Sequence, residues 1–337
     1  MLFSLPKGSE AITPILTFAT TVAPLVQNNI IPAFVDVDPE TYQVNVAQIE
    51  EMINKNTKAL VIPSLLGNLP DFPHLREIAD KYNLYFLEDS CDTLGAKFQG
   101  KSTGFFSDIS TTSFYGSHII TAGGNGGMIC LNNYSWNRKA RILRGWGRSS
   151  AVRENNNFKE RFRYKLNGKI YYDAKFIFEE LGYNFLPNEL GAAFGLVQLK
   201  KLNKFIQIRR RNFKLLNGFF KQYPEIFITP RELTGVYTAW LAFPITIKDK
   251  APFSRYEIVS YLEKNRVQTR PLFSGNILKH PAFKKIRARK RKKGYPAADY
   301  ITTNSFLIGC HHGMKIEDID YLKELFENFL SKKGIRR

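Results

Sequence analysis

Leu84-Tyr85-Phe86-Leu87-Glu88 is a near-continuous apolar run, and Asp89-Ser90-Cys91-Asp92 follows it without a break. A short apolar run bounded by polar residues reads as a strand buried on both faces, as strands of a parallel sheet are. The same unit recurs on either side. Ala33-Phe34-Val35-Asp36-Val37, Ala59-Leu60-Val61-Ile62-Pro63, Ile109-Ser110-Thr111-Thr112-Ser113-Phe114 and Gly127-Met128-Ile129-Cys130-Leu131 are further strand candidates. Between them, Val46 to Ile53 and Phe72 to Tyr82 carry apolar residues at helical spacing, which predicts crossover helices. This alternation predicts an α/β fold with a mostly parallel sheet. A helix from about Glu189 to Phe219, with Leu196, Leu199, Leu202, Phe205 and Ile206 on one side, is expected to lead into a second unit. There Thr238 to Ile247, Arg255 to Glu263 and Ile316 to Leu330 predict a smaller α+β domain. The boundary falls near residue 200, giving a large domain over 1–200 and a small one over 201–337.

Composition agrees with two globular units. The chain has 337 residues, 44% of them apolar and 23% charged, and no apolar run reaches the roughly 18 residues a membrane span needs. No signal peptide is recognised in Met1-Leu2-Phe3-Ser4-Leu5-Pro6-Lys7-Gly8, so the expected compartment is the cytoplasm. Three cysteines, Cys91, Cys130 and Cys310, form no CxxC pair, which argues against a disulfide framework and a four-cysteine metal site. The formal net charge is +19, and eight cations crowd one ten-residue run: Lys284, Lys285, Arg287, Arg289, Lys290, Arg291, Lys292 and Lys293. That run reads as a solvated segment or as an attractor of a polyanionic substrate. No zinc-finger, RRM or basic-zipper pattern accompanies it, so no specific nucleic-acid partner is expected.

Ligands of a parallel sheet bind at the carboxyl ends of its strands. Asp89, at such an end, could hold a proton on a heteroaromatic nitrogen, or could cap a helix. Ser113 could donate to a phosphate or close a turn. Phe18 could stack on a flat ring or belong to the core. Gly123 to Gly127 could admit a ligand to the main chain or simply turn the chain. His118, in a polar turn, is of a type that moves protons near neutrality, although a lone histidine is more often structural.

Together and in this order, these clusters resemble the DegT/DnrJ/EryC1/StrS family of sugar aminotransferases and dehydratases. The likeness runs from Leu5-Pro6-Lys7-Gly8 through Phe34-Val35-Asp36-Val37-Asp38 and Leu87-Glu88-Asp89 to Gly182-Tyr183-Asn184 and Gln198-Leu199-Lys200-Lys201-Leu202. It implies an aspartate-aminotransferase-like (fold-type I) large domain with a sheet of seven-stranded type. It also implies a pyridoxal or pyridoxamine 5′-phosphate cofactor. By resemblance, Asp89 pairs with the pyridine nitrogen, Phe18 lies against the ring, Asp92 also belongs to the cofactor site and Ser113 binds the phosphate. Asn184 would reach the phosphate of a neighbouring subunit, which implies a homodimer, and Arg270 would orient the sugar or its nucleotide.

One departure from the family pattern decides the expected chemistry. Aminotransferases of the family carry Ser-Phe-x-x-x-Lys, and this chain reads Ser113-Phe114-Tyr115-Gly116-Ser117-His118. A histidine there is characteristic of the nucleotide-sugar 3-dehydratases, to which Leu66-Gly67-Asn68, Asp92, Arg144-Gly145-Trp146-Gly147-Arg148 and Thr269 to Asn276 also point. The resemblance implies a lyase that removes the C3 hydroxyl of a nucleotide-linked 4-keto-6-deoxyhexose, with His118 as base, on the way to a surface-polysaccharide dideoxysugar. Cys91 matches one cysteine of an iron–sulfur branch. The segment Gly147-Arg148-Ser149-Ser150-Ala151-Val152 lacks that branch's cysteine pair, so no cluster is expected and L-glutamate is the implied amino donor. The family's N-terminal helix and Gly/Ser-rich turn should precede Leu5, so the chain reads as N-terminally short. The alternatives are a sugar aminotransferase and a silent partner subunit.

Overall fold

The computed structural model describes residues 2–152 and 157–336. Its central sheet has six strands: β1 (Glu10–Pro14), β2 (Ile31–Val35), β3 (Thr57–Pro63), β4 (Tyr85–Asp89), β5 (Ile109–Ser113) and β6 (Gly127–Leu131). They stand in the order β2-β1-β3-β4-β5-β6, all parallel except β6, which runs antiparallel to β5. The sheet is therefore mostly parallel as expected, with six strands in place of seven among the described residues. The connection from β2 to β3 crosses β1 and reverses the direction of winding, so the carboxyl ends of β1 and β3 flank a crevice. Pairing of Pro63 with Asp89, and of Asp89 with Thr111, brings the ends of β3, β4 and β5 level.

Two further expectations for the first unit change. β1, which lies between β2 and β3, is absent from the sequence reading because Glu10 and Pro14 interrupt its apolar character; all five of its residues are nevertheless buried. Glu10 is tolerated there because its carboxylate pairs with Arg289 at 2.7 Å. The crossover helix expected over Val46 to Ile53 is two short 3₁₀ turns, Val46–Gln48 and Glu50–Met52. So few residues barely repay helix nucleation, and the Gln48 side chain instead accepts from the Asp36 N–H at 2.9 Å.

The other expected helices form, over 72–81 and 189–220, beside two that the sequence reading did not name, over 19–27 and 134–144. α1 (Ala19–Gln27) follows β1, and α2 (Phe72–Lys81) starts where the Asp71 carboxylate accepts from the His74 N–H. The buried face of α2, Phe72, Leu75, Ile78 and Ala79, packs with Ile12, Ile62 and Phe86 of the sheet. α3 (Tyr134–Arg144) follows β6. α4 (Glu189–Phe220), capped by Asn188, passes through residue 200 without interruption.

Beyond α4 lies a four-stranded antiparallel sheet of β7 (Phe227–Ile228), β8 (Phe243–Ile247), β9 (Arg270–Pro271) and β10 (Ser305–Ile308), ordered β7-β8-β10-β9. Of the expected stretch from Thr238, only Phe243 onward is strand, because the Thr238 hydroxyl donates to the Gly67 carbonyl and holds the preceding residues against the first unit. α5 (Arg255–Lys264), α6 (Pro296–Asn304) and α7 (Ile316–Lys332) complete the chain. Phe213, Phe220, Phe243 and Phe326 share a core with Ile15, Leu16, Phe34 and Tyr42, so the two units meet in one apolar interior.

A group of apolar side chains stays uncovered. Leu181, Phe185, Leu190, Phe194, Leu196 and Leu199 are exposed, Leu181 and Leu190 at 92% and 85%. Among the described residues no helix is long and apolar enough to cross a membrane.

Candidate active site

Asp89 closes β4 at the centre of the carboxyl edge. One of its oxygens accepts from the Thr21 hydroxyl of α1 at 2.9 Å, and the other from the Cys91 N–H at 3.3 Å. No α-helix begins there, so the capping role open to this residue is not taken up. Below it, Glu88 is fully buried and accepts from the Ser90 hydroxyl and the Gly104 N–H, which braces the strand end. Burial raises the Glu88 carboxyl above the ordinary range.

Asp92 is buried one turn further on. It accepts from the Leu66 N–H at 3.0 Å, and burial, aided by the charge of Asp89, raises its carboxyl to about 7. The donor is presented by an unusual turn. Leu66 and Gly67 both have positive φ, and a Cβ on Gly67 would stand 2.7 Å from the Leu241 nitrogen. Only glycine fits that close approach.

His118 meets this pair from the turn after β5. Its Nδ1 lies 2.6 Å from the Cys91 carbonyl oxygen, which can only accept, so Nδ1 carries the proton and Nε2 presents a lone pair. Nε2 lies 4.0 Å from Asp92 Oδ1. Burial pushes the His118 pKa below the ordinary value, only partly offset by its bond to Cys91 and the charge of Asp89, and the Arg209 guanidinium lowers it further. The imidazole is therefore held neutral and basic at Nε2. Burial likewise raises the Cys91 thiol, so Cys91 offers its carbonyl rather than a thiolate.

Four hydroxyls at or near the carboxyl edge are buried without a protein partner among the described residues: Thr13 in β1, Thr17 after it, Ser64 after β3 and Thr112 in β5. Unpaired buried hydroxyls are costly, so their presence at strand ends fits a polar ligand in the crevice. Phe18, 52% exposed, meets Phe273 edge-on at 5.9 Å and leaves a ring face open. These features suit a flat, polar, anionic heterocycle such as pyridoxal phosphate.

Asp89, Asp92 and His118 are thus gathered, and Phe18 stands at the start of α1, whose Thr21 holds Asp89. Ser113 ends β5 two strands from β3, where its oxygen accepts from the Tyr115 N–H at 3.2 Å and its own hydroxyl hydrogen stays available. Gly123, Gly124 and Gly126 have positive φ in the hairpin joining β5 to β6, which accounts for that cluster as a turn. Arg270 starts β9 and donates to the Thr269 carbonyl at 2.8 Å, touching none of the four; the wall it begins reaches them through Phe273 and through Ser274, whose hydroxyl donates to the Thr17 carbonyl. Asn184 pairs with Gly145 and is exposed, as are its neighbours Tyr183 and Phe185. The sequence reading passed over Ser64 and Arg209. Ser64 follows a recognised strand, so the strand-end rule that found Ser113 could have found it. Arg209 is buried and donates to the carbonyls of Trp240 and Leu241; nothing in the run Arg209-Arg210-Arg211 distinguishes it.

A mostly parallel six-stranded sheet, an acid at the end of β4 and an imidazole beside it define an aminotransferase-type α/β enzyme fold. The chain belongs to the DegT/DnrJ/EryC1/StrS aminotransferase family, whose sequence profile matches residues 1–327. It is 36% identical to the lipopolysaccharide biosynthesis protein RfbH of Salmonella typhimurium over 97% of this chain and 75% of the relative. It is also 36% identical to the dTDP-4-dehydro-2,6-dideoxy-D-glucose 3-dehydratase of Saccharopolyspora spinosa, over 98% and 71% of the two chains. Among solved structures, the E. coli GDP-4-keto-6-deoxy-D-mannose 3-dehydratase with bound hydrated PLP superposes with a TM-score of 0.86 at 30% identity, covering 95% of this chain and 80% of that one.

Proposed function

We propose that this protein is a nucleotide-sugar 3-dehydratase that uses pyridoxamine and pyridoxal 5′-phosphate, the latter converted to the former by L-glutamate. The observation that carries the reading is the His118 ring, neutral and open at Nε2 beside Asp89 and Asp92, where the family's aminotransferases have lysine. Imidazole moves protons but cannot anchor a carbonyl cofactor covalently, which favours proton transfer and elimination over amino transfer. Bound there, the cofactor supplies an amine for the sugar's 4-keto carbon and a ring that takes up electrons.

This chain's own residues do the rest. Asp89, fixed by Thr21, holds the proton of the ring nitrogen; Phe18 covers the ring; Asp92, raised by burial, supports its edge; Ser113, with Thr17, Ser64 and Thr112 as further donors, binds polar groups including the phosphate. His118 Nε2 accepts the proton removed and can return it to the leaving C3 hydroxyl, which departs as water. Arg270 orients the nucleotide-linked 4-keto-6-deoxyhexose from the wall carrying Phe273. The product class, a 3,6-dideoxyhexose, suits the O-antigen of a lipopolysaccharide, the setting in which the Salmonella relative is named. The exposed apolar side chains, Tyr183 and Phe185 beside Asn184 among them, support a homodimer in which Asn184 reaches the partner's cofactor phosphate. The two-unit division at residue 200 and a cytoplasmic setting belong to the same proposal, the latter supported by three free cysteines.

Titration with each cofactor form, with and without glutamate, tests this. The expected result is binding without a borohydride-trappable link, and glutamate-driven conversion of the pyridoxal to the pyridoxamine form. A trappable link in the unmodified protein, or no binding of either form, contradicts it.

A further inference from the structure

The basic run is fixed to the molecule by its backbone. The Arg289 N–H donates to the Pro32 carbonyl at 2.9 Å, and the Arg289 carbonyl accepts from the Phe34 N–H at 3.0 Å, so this residue pairs along the free edge of β2. Its side chain reaches Glu10, the first residue of β1, and the Met52 carbonyl. Arg291 pairs with Glu51 at 3.2 Å. Phe283, Ile286 and Ala288 turn inward and pack on the core. Two of the eight cations are thus structural. Lys284, Lys285, Arg287, Lys290, Lys292 and Lys293 are exposed, and none forms an ion pair among the described residues.

We infer that these six cations form a docking surface for an anionic lipid bilayer. Like charges concentrated on a fixed backbone repel one another, and an anionic plane relieves that repulsion without any chain having to order. The run offers no exposed aromatic ring to stack on bases and no apolar side chain to enter hydrocarbon, so it is suited to attraction at headgroup level rather than to nucleic acid or insertion. Arg289 pairs with Ala33 at the middle of β2 while its side chain reaches Glu10 at the start of β1, and Asp89, Asp92 and His118 gather at the carboxyl ends. This docking surface extends the proposed function without depending on it.

The test is co-sedimentation of the full chain with phosphatidylcholine vesicles, with and without phosphatidylglycerol, at low and high salt. The variant carries Lys284→Gln, Lys285→Gln, Arg287→Gln, Lys290→Gln, Lys292→Gln and Lys293→Gln. A charge-matched control carries Lys97→Gln, Lys101→Gln, Lys214→Gln, Lys221→Gln, Lys250→Gln and Lys264→Gln, all at exposed sites. The expected result is binding that needs phosphatidylglycerol, fades at high salt, and falls by at least about tenfold in the first variant while the control binds as before. Equal loss in both variants, binding indifferent to phosphatidylglycerol, or no vesicle binding overturns the proposal. So does tighter binding of single-stranded RNA through the same six residues. A rise in KM for the nucleotide sugar at low salt, without vesicle binding, also overturns it and assigns the run to substrate capture.

Discussion

At the scale of single residues, the account rests on a histidine whose tautomer is set by a carbonyl. His118→Asn keeps the bond to Cys91 and removes the base, so turnover should fall by about 10²- to 10⁴-fold with cofactor binding retained. His118→Lys should create a borohydride-trappable cofactor link, read from absorbance before and after reduction; its absence would mean that residue 118 does not face the cofactor. Because burial lowers the His118 pKa, the acid limb of kcat/KM should lie below the ordinary histidine value of about 6.5. The sign for Asp92 is opposite. Its folded carboxyl holds a proton up to about 7, against an ordinary value of 3.8, so between these the folded state binds more protons than the unfolded chain and loses stability as pH rises. Asp92→Asn should therefore gain stability over the native protein as pH climbs through that window, seen in thermal unfolding at several pH values; a pH-independent difference would contradict the burial argument. Asp89, Asp92 and His118 were readable from strand ends and family pattern. Their mutual contacts were not, because they join residues on separate turns.

At the scale of elements, patterns of apolar residues located β2 to β6, α2 and α4 well; β2, β3 and α2 bury a continuous face, whereas Gly127 to Cys130 of β6 and the first half of α4 are apolar and yet exposed. They failed for β1, whose charge is neutralised by Arg289, 279 positions away in sequence, and for Val46 to Ile53, whose apolar spacing is satisfied by turns. The left-handed turn at Leu66 and Gly67 has no apolar signal at all, yet it aims the N–H that holds Asp92. Gly67→Ala would drive a Cβ into the Trp240–Leu241 backbone. It should destabilise the protein by about 1–3 kcal/mol and reduce kcat, measured by urea unfolding and by assay. Unchanged unfolding would show that the turn relaxes freely.

At the scale of the whole molecule, the long helix α4 divides its labour. Its second half, from Ile206 to Phe220, fills the shared core, while Leu190, Phe194, Leu196 and Leu199 face outward. Sequence periodicity recognised both halves as apolar and could not say that only one is covered within the chain. Exposed apolar side chains in this number are the mark of an interface. Leu190→Glu with Leu196→Glu should convert a dimer to a monomer in sedimentation and weaken phosphate binding through Asn184; a native protein that is already monomeric would contradict the dimer. The central claim is elimination at C3 governed by His118. Its most direct test is the mass of the sugar formed from a nucleotide-linked 4-keto-6-deoxyhexose with pyridoxal phosphate and glutamate. The account predicts a sugar lighter by one oxygen atom and lacking nitrogen, and none with His118→Asn; a sugar with an amino group at C4 would contradict it.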